Sequence, residues 1–562
     1  MWLLVLATGA ICAGCGRDYY QRSADKEVYG ILGKRQAEQL GKTNSHFTVN
    51  TPYSDRRPKA IKSPEIVQQR AVPSKRALSL ADALKTAVAN SREYQFRKET
   101  VYLTALALTT ERYNFRPKWS AASEMTFSKD RAGEVKRTVN SDISGSQMLK
   151  TGGQLVLSVA NDMLRYYSGE PRASHTTLFA MELVQPLLRG AGWDIVTEKL
   201  TQAERDVIYE VRSFAYYEQT FAVDITTSYF RLLRQKDTVR NEYSNHQNLT
   251  KGRERAEALG VDRLPILQVD QARQDELRAN SRYVLAVQSY QNSLDDFKIK
   301  LGLPLSAELL LDDTALEDLL KLGLPDVPLT DPVGYKIAVE RRLDLQNDLD
   351  KFEDSKRKIE VAANHLKADL NIFASVSLPS RGGTDYTKFD VGDYTAAGGV
   401  ELKLPLDRLK ERNEYRTTLI HFERQLRALA LALDTVRDEV RQGLRSLWLM
   451  RNEYEIQQDA ENLAKRRVES VSLLMQAGRA QMRDLLEAQQ AFVTAHNAVM
   501  VALVDYHAAR WTLLRDLGTI RTDVDAFWLA AQPIPQVGPA GAAAPAGPPK
   551  QQELISPEEL FR

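Results

Sequence analysis

Between Tyr415 and Leu447 the large apolar residues recur in alternating steps of three and four: Tyr415, Leu419, Phe422, Leu426, Leu429, Leu433, Val436, Val440, Leu444 and Leu447. The stretch holds no proline and one glycine, Gly443. Such steps keep one apolar seam on a helix and are the pattern of coiled-coil packing. The pattern continues to Gln476, is interrupted at Ala477-Gly478, and resumes from about Arg479 to Leu517. At roughly 1.5 Å per residue a helix of about 65 residues is ~100 Å long, too long for a compact domain. Its seam must therefore be covered by partner helices.

Lys and Arg (76) balance Asp and Glu (74) across 562 residues, and the signs are interspersed, so no nucleic-acid partner is expected. No run reaches the roughly 18 apolar residues of a membrane-spanning helix. Any membrane-embedded part must then be built from β-strands. The cysteines are Cys12 and Cys15, at the end of an apolar segment, Trp2 to Ala13, that reads as a secretory signal. Ala13-Gly14-Cys15 resembles the end of a bacterial lipobox, which makes Cys15 the candidate lipidated residue. Cys12 stands where leucine is usual and no Lys or Arg precedes the run, so an ordinary cleaved signal is the alternative. The seven histidines are scattered, and no phosphate loop or nucleophile elbow occurs. No enzyme activity, metal or cofactor is expected.

The order of elements divides the chain. Residues 1–14 form the signal peptide and 15–77 a lipidated, extended N-terminal arm, with a short helix within Asp25 to Leu40. A first repeat spans 78–304, a linker 305–332, a second repeat 333–520, and a C-terminal tail expected to be disordered 521–562, Pro/Ala/Gly-rich from Pro533 to Pro549. In the first repeat Ser79 caps a helix that runs to about Phe115, where Pro117 stops it. Strand-like alternation follows over about 118–187, then a helical hairpin over about 192–302. The strands end at Gln185-Pro186-Leu187-Leu188-Arg189-Gly190-Ala191-Gly192. There Pro186 ends ladder pairing, while Gly190 and Gly192 permit the turn into a helix. In the second repeat a helix over about 333–366 precedes strands at about 369–405 and a hairpin at about 408–518. The repeats correspond by counting: Leu267 and Gln271 follow Gly260 as Leu485 and Gln489 follow Gly478, and Tyr290 precedes Gly302 as Tyr506 precedes Gly518.

On these residues, over roughly Leu78 to Ile520, the chain resembles the TolC-like outer membrane efflux protein family. The resemblance implies a mainly α fold with a membrane β-barrel, built from a duplicated helix–strand–strand–helix–helix unit. It implies a homotrimer whose protomers each give four strands to one barrel, above an α-barrel of long coiled-coil helices in the periplasm. Open strand edges are not tolerated in lipid, which favours closure by oligomerisation. The strand-like sequence from Ser120 to Val184 exceeds one hairpin, and Asp142 to Val159 is the candidate extra hairpin. The resemblance also implies a passive conduit working with a periplasmic adaptor and an inner-membrane RND or ABC transporter. Acidic residues after the second hairpin turn, here Asp484 and Glu487, would then line the periplasmic gate; a solvated helix face is the alternative. Gly260, Gly478 and Arg479 mark the adaptor-facing hairpin tips. The rival reading is a non-channel periplasmic coiled-coil tether or scaffold lipoprotein.

Overall fold

The computed structural model describes residues 16–41, 47–72, 75–131, 133–166, 173–260, 266–381, 388–477, 479–522 and 527–529. The first half contains α1 (Arg17–Leu40), α2 (Ser63–Ala71), β1 (Lys75–Leu78), α3 (Leu80–Asn90), α4 (Arg92–Asn114), β2 (Lys118–Lys129), β3 (Val135–Met148), β4 (Gln154–Tyr166), β5 (Ala173–Pro186), α5 (Trp193–Val196), α6 (Glu198–Gly260) and α7 (Ile266–Lys300). There follow β6 (Glu308–Leu311), α8 (Thr314–Leu322), α9 (Asp331–Arg341), α10 (Leu343–His365), β7 (Asp369–Pro379), β8 (Thr395–Lys403), α11 (Leu409–Gln476) and α12 (Met482–Asp516). Two compact units share them. One comprises Met1–Thr48, Lys98–Ser213 and Asn347–Ala430; the other comprises Val49–Arg97, Phe214–Gln346 and Leu431–Arg562.

The first unit carries an open antiparallel sheet of six strands, ordered β2-β3-β4-β5-β7-β8. The expectation was four. The Ser120–Val184 stretch folds as four strands, and the extra hairpin, β3–β4, lies in the plane of the sheet. Alternation makes the sheet two-faced. Register places Trp119, Met125, Ile143, Leu157, Val159, Phe179, Met181, Ile372, Val376, Val400 and Leu402 on one face. Most of these large apolar side chains are exposed, Trp119 at 69% and Val400 at 65%. The opposite face carries Lys118, Glu124, Asp142, Asp162, Glu182, Glu401 and Lys403. Glu401 and Lys403 pair there at 2.8 Å.

Pro186 does not end the pairing as expected. The Leu187 N–H donates to the Leu370 carbonyl at 2.7 Å, and Arg189 continues the ladder to Ala368. Donors alternate sides along a strand, so the nitrogen of Pro186 faces β4, whose pairing stops at Gln154–Val184. No hydrogen bond is lost.

Also in this unit, the short helix expected within Asp25 to Leu40 is α1, which starts earlier, at Arg17, and runs for 24 residues. Its Val28, Ile31 and Leu32 are buried, Tyr102 donates to Asp25 at 2.7 Å, and Arg35 pairs with Glu204 at 3.4 Å. The deepest charge in the unit is Asp354, whose side chain is 3% exposed. One of its oxygens takes Arg205 Nε at 2.5 Å and Arg357 Nη1 at 2.8 Å; the other takes the Tyr209 hydroxyl at 2.6 Å.

The second unit holds the larger core, around Tyr229, Phe230, Phe297, Leu301 and Trp511. Segment 305–332, expected as a linker, supplies α8 and also β6, which pairs in parallel with β1. Leu309 and Leu311 alternate into the core, and the Tyr229 hydroxyl ties the Leu78 and Asp312 carbonyls together. The arm likewise contains α2, where extended chain was expected. The tail segment begins packed: Phe527 is buried and the Trp528 carbonyl accepts from Trp511 Nε1 at 3.3 Å. Ser79 does cap α3, accepting from the Asp82 N–H at 3.2 Å, but its hydroxyl donates back to the Asp82 carboxylate, so the box is not reciprocal.

Each helix expected to run unbroken into the strands is interrupted once, at Ser91 and at Arg342. Both breaks have the same neighbour, a glycine of positive φ. Gly302 (φ +71°) and Gly518 (φ +66°) press against them, and a Cβ would lie 2.1 Å from Asn90 O and 2.9 Å from Arg341 C. Only glycine fits that backbone and that approach.

Buried on α12 is His507, whose Nε2 meets the Gly323 carbonyl at 2.9 Å. Burial, with help from the Arg510 charge, lowers its pKa from 6.5 to about 4, against the effect of the Gly323 hydrogen bond. Between pH 6.5 and about 4 the unfolded chain therefore binds a proton that the folded chain refuses. Stability should fall over that window by up to about 3 kcal/mol, at ~1.4 kcal/mol per pH unit. Thermal melts of His507→Gln should show a shallower acid slope than wild type; parallel slopes would refute this.

Candidate functional site

Three places combine sequence signals with specific geometry. The first is the strand-to-helix exit. Gln185 donates through Nε2 to the Thr151 carbonyl at 3.1 Å and accepts from the Thr151 hydroxyl at 3.0 Å, clamping β5 to the β3–β4 turn. Gly190 (φ +72°) and Gly192 (φ +103°) take backbone conformations that side chains disfavour. Gly152 lies so close that a Cβ would come within 2.4 Å of the Gly190 carbonyl oxygen. Asn364 completes the exit: its Oδ1 accepts from the Gly190 N–H at 2.8 Å and its Nδ2 donates to the Leu188 carbonyl at 3.3 Å. Asn364 was not legible in the sequence; its one signal is an Asn near the end of an otherwise helical pattern.

The second is the pair of hairpin tips. Gly260 is the last residue of α6. Arg479 is exposed, and its N–H donates to the Leu474 carbonyl at 2.8 Å. Gly478 and Cys15 lie outside the described residues.

Asp484 and Glu487 both sit at the start of α12, three residues apart. Neither is a bare acid. The Asp484 carboxylate accepts from the Gln481 N–H at 3.1 Å in a reciprocal capping box, with Arg483 at 3.9 Å. Glu487 pairs with Arg467 of α11 at 3.1 Å, with both side chains at least half exposed.

Behind this tip, Gly252 lets Leu486 within 3.2 Å of where a Cβ would stand, and Leu486 packs with Leu249 and Ala279. A polar ladder runs alongside. Asn241 donates to Asn497 and Asn245 to Gln490, each at 2.8 Å, and Arg282 bridges Gln490 and Glu242. These contacts join α6, α7 and α12. Asn241 and Asn245 are four apart, a spacing that shares one helix face, yet polar residues on a long helix read by default as solvated.

The third is the apolar surface of the long helices. On the seam of α11 Val436, Val440 and Leu447 are buried and Leu426 is 50% exposed, while off the seam Leu431, Trp448 and Leu449 are at least 50% exposed. Leu277, Val284 and Leu285 of α7 are exposed to a similar degree. Gly443, the one glycine of the seam, lies under Leu513, where a Cβ would come within 2.9 Å.

A sheet with an exposed apolar face, joined through glycine exits to pairs of very long helices, defines a membrane-type architecture. No protein-family model and no curated protein sequence matches the chain. Solved structures do. The Campylobacter jejuni CmeC outer membrane channel superposes with a TM-score of 0.57 at 15% identity, covering 78% of this chain and 85% of CmeC. The outer membrane protein VceC from Vibrio cholerae gives 0.57 at 14%, covering 78% and 96%. The open-state MtrE outer membrane channel of Neisseria gonorrhoeae gives 0.57 at 14%, covering 78% and 88%. The chain thus has the fold of TolC-like outer membrane channels, and these neighbours are channel proteins rather than enzymes.

Proposed function

We propose that three copies of this chain form an outer-membrane channel-tunnel, a passive conduit in a tripartite efflux or type I secretion system. An inner-membrane RND or ABC transporter supplies the substrate, and a periplasmic adaptor meets the hairpin tips around Gly260, Gly478 and Arg479. The observation that carries this reading is the open two-faced sheet. Its exposed apolar face suits lipid and its polar face suits a lumen, but the free edges of β2 and β8 are not tolerated in a bilayer. Copies must supply the missing partners. The exposed apolar residues of α11 and α7 support the same conclusion, since adjoining helices of other copies would cover them. The matched positions of Gly302 and Gly518 support a duplicated unit. A tether needs no such sheet, which disfavours the scaffold reading.

In the trimer Asp484 and Glu487 form acidic rings at the periplasmic tip, moderated by Arg467 and Arg483. Asp484→Asn with Glu487→Gln keeps the cap geometry and removes the charge. In single-channel recordings wild type is expected to be cation-selective and blocked by multivalent cations from the periplasmic side, and the double variant to lose most of both. Unchanged selectivity and block would make the pair a solvated helix face. Separately, Cys15→Ser is expected to abolish incorporation of labelled palmitate, and undiminished label would remove the lipid anchor.

A further inference from the structure

We propose that the β3–β4 hairpin is a barrel-widening module. Resting on the trimeric channel reading, each copy gives six strands, and three times six makes a barrel of eighteen, with the free edge of β2 paired antiparallel to β8 of the next copy.

One register crosses all six strands. The row Trp119–Gly145–Leu157–Met181–Val376–Ala396 is unbroken. The inserted strands keep the same exposed apolar face: Ile143 is 52% exposed and Val159 36%. A hairpin standing in water would gain nothing from that match. Trp119 also fastens β2 to β3, because Gly145 leaves room for its ring where a Cβ would come within 2.6 Å. Six is even, so β2 and β8 run in opposite directions and a head-to-tail ring of copies closes with every pair antiparallel. The insertion is also separable. β2 and β5 are antiparallel, and Phe127 and Ala173 share one row, so excising 131–170 would let β2 pair with β5 without exchanging faces. Barrel diameter grows roughly linearly with strand number, so eighteen strands give about one and a half times the width of twelve, in the range of an open aqueous lumen.

The test uses cysteine pairs in the full chain. Ala121 and Phe179 share a row with two strands between them, about 14 Å apart at ~4.8 Å per strand, beyond the roughly 7 Å reach of a disulfide. Ala121→Cys with Phe179→Cys should give no intrachain disulfide. Ala121→Cys combined in turn with Ala396→Cys, Gly398→Cys or Val400→Cys should give disulfide-linked multimers in one of the three. Projection images should show a barrel about one and a half times wider than that of the 131–170 deletion. An Ala121–Phe179 disulfide in a protein whose mass in detergent is trimeric would overturn the module and leave the channel standing. A monomeric mass would overturn both. The cysteine result decides the matter even where the deletion variant does not fold.

Discussion

Met181→Arg is expected to strip the protein from the outer membrane, while Glu182→Arg, one residue along, leaves assembly intact. Met181 lies in the middle of the apolar row, between Leu157 and Val376, and is 42% exposed. An arginine on the lipid face near the bilayer midplane costs about 2–4 kcal/mol in each copy. Three copies multiply the penalty, enough to outweigh the marginal stability of a folded domain. Glu182 points to the opposite face, beside Val156 and Ser375, where water solvates a charge of either sign. Outer-membrane fractionation and the trimer band in unheated gels read the outcome. Equal tolerance of both substitutions would show that the exposed apolar face does not meet lipid.

Asp354→Ala should be the most damaging single change outside the sheet. Its carboxylate satisfies Arg205, Arg357 and Tyr209 together and is almost fully buried. Removing it takes the buried acceptor from the Tyr209 phenol and one of two carboxylate partners from each guanidinium, since Arg205 keeps Asp350 and Arg357 keeps Glu198 at 3.0 Å, a loss of about 2–3 kcal/mol. Asp350 supplies the control. It pairs with Arg212 at 2.6 Å and Arg205 at 3.2 Å, but its side chain is 35% exposed, and water replaces what Asp350→Ala removes. There a loss of about 1 kcal/mol or less is expected. Melting and protease resistance in detergent distinguish the two, and equal small losses would mean that the Asp354 cluster contributes no more than a surface pair.

The long helices were legible because a seam sustained over many turns has no other interpretation. β4, β5, β7 and β8 were legible because Leu155, Phe179, Ile372 and Val400 alternate with polar or small neighbours. β2 and β3 were legible only as strand-like sequence without bounds, because their faces carry Ser120, Ser123, Ser141 and Ser144, whose cross-strand hydroxyl pairs, 2.8 and 3.0 Å apart, replace apolar contrast with hydrogen bonds. The helix breaks at Ser91 and Arg342 were invisible for another reason. Each lies against a glycine far away in sequence, Gly302 or Gly518, and Ser91, whose Oγ accepts from the Tyr94 N–H at 3.4 Å, carried only a weak local signal as a cap. Asp354 and Asn364 read as surface residues because the groups that bury them come from elements about 150 residues away. The acidic pair at 484 and 487 was legible as a motif, but its arginine partner on α11 was not.

Purified protein in a planar lipid bilayer tests most directly whether this chain makes a pore. Discrete conductance steps are expected, larger in Arg467→Ala with Glu487→Ala, where the salt bridge across the α11–α12 tip is gone. Protein that inserts into the bilayer yet gives no steps, in wild type and in that variant alike, would contradict the channel and favour a scaffold.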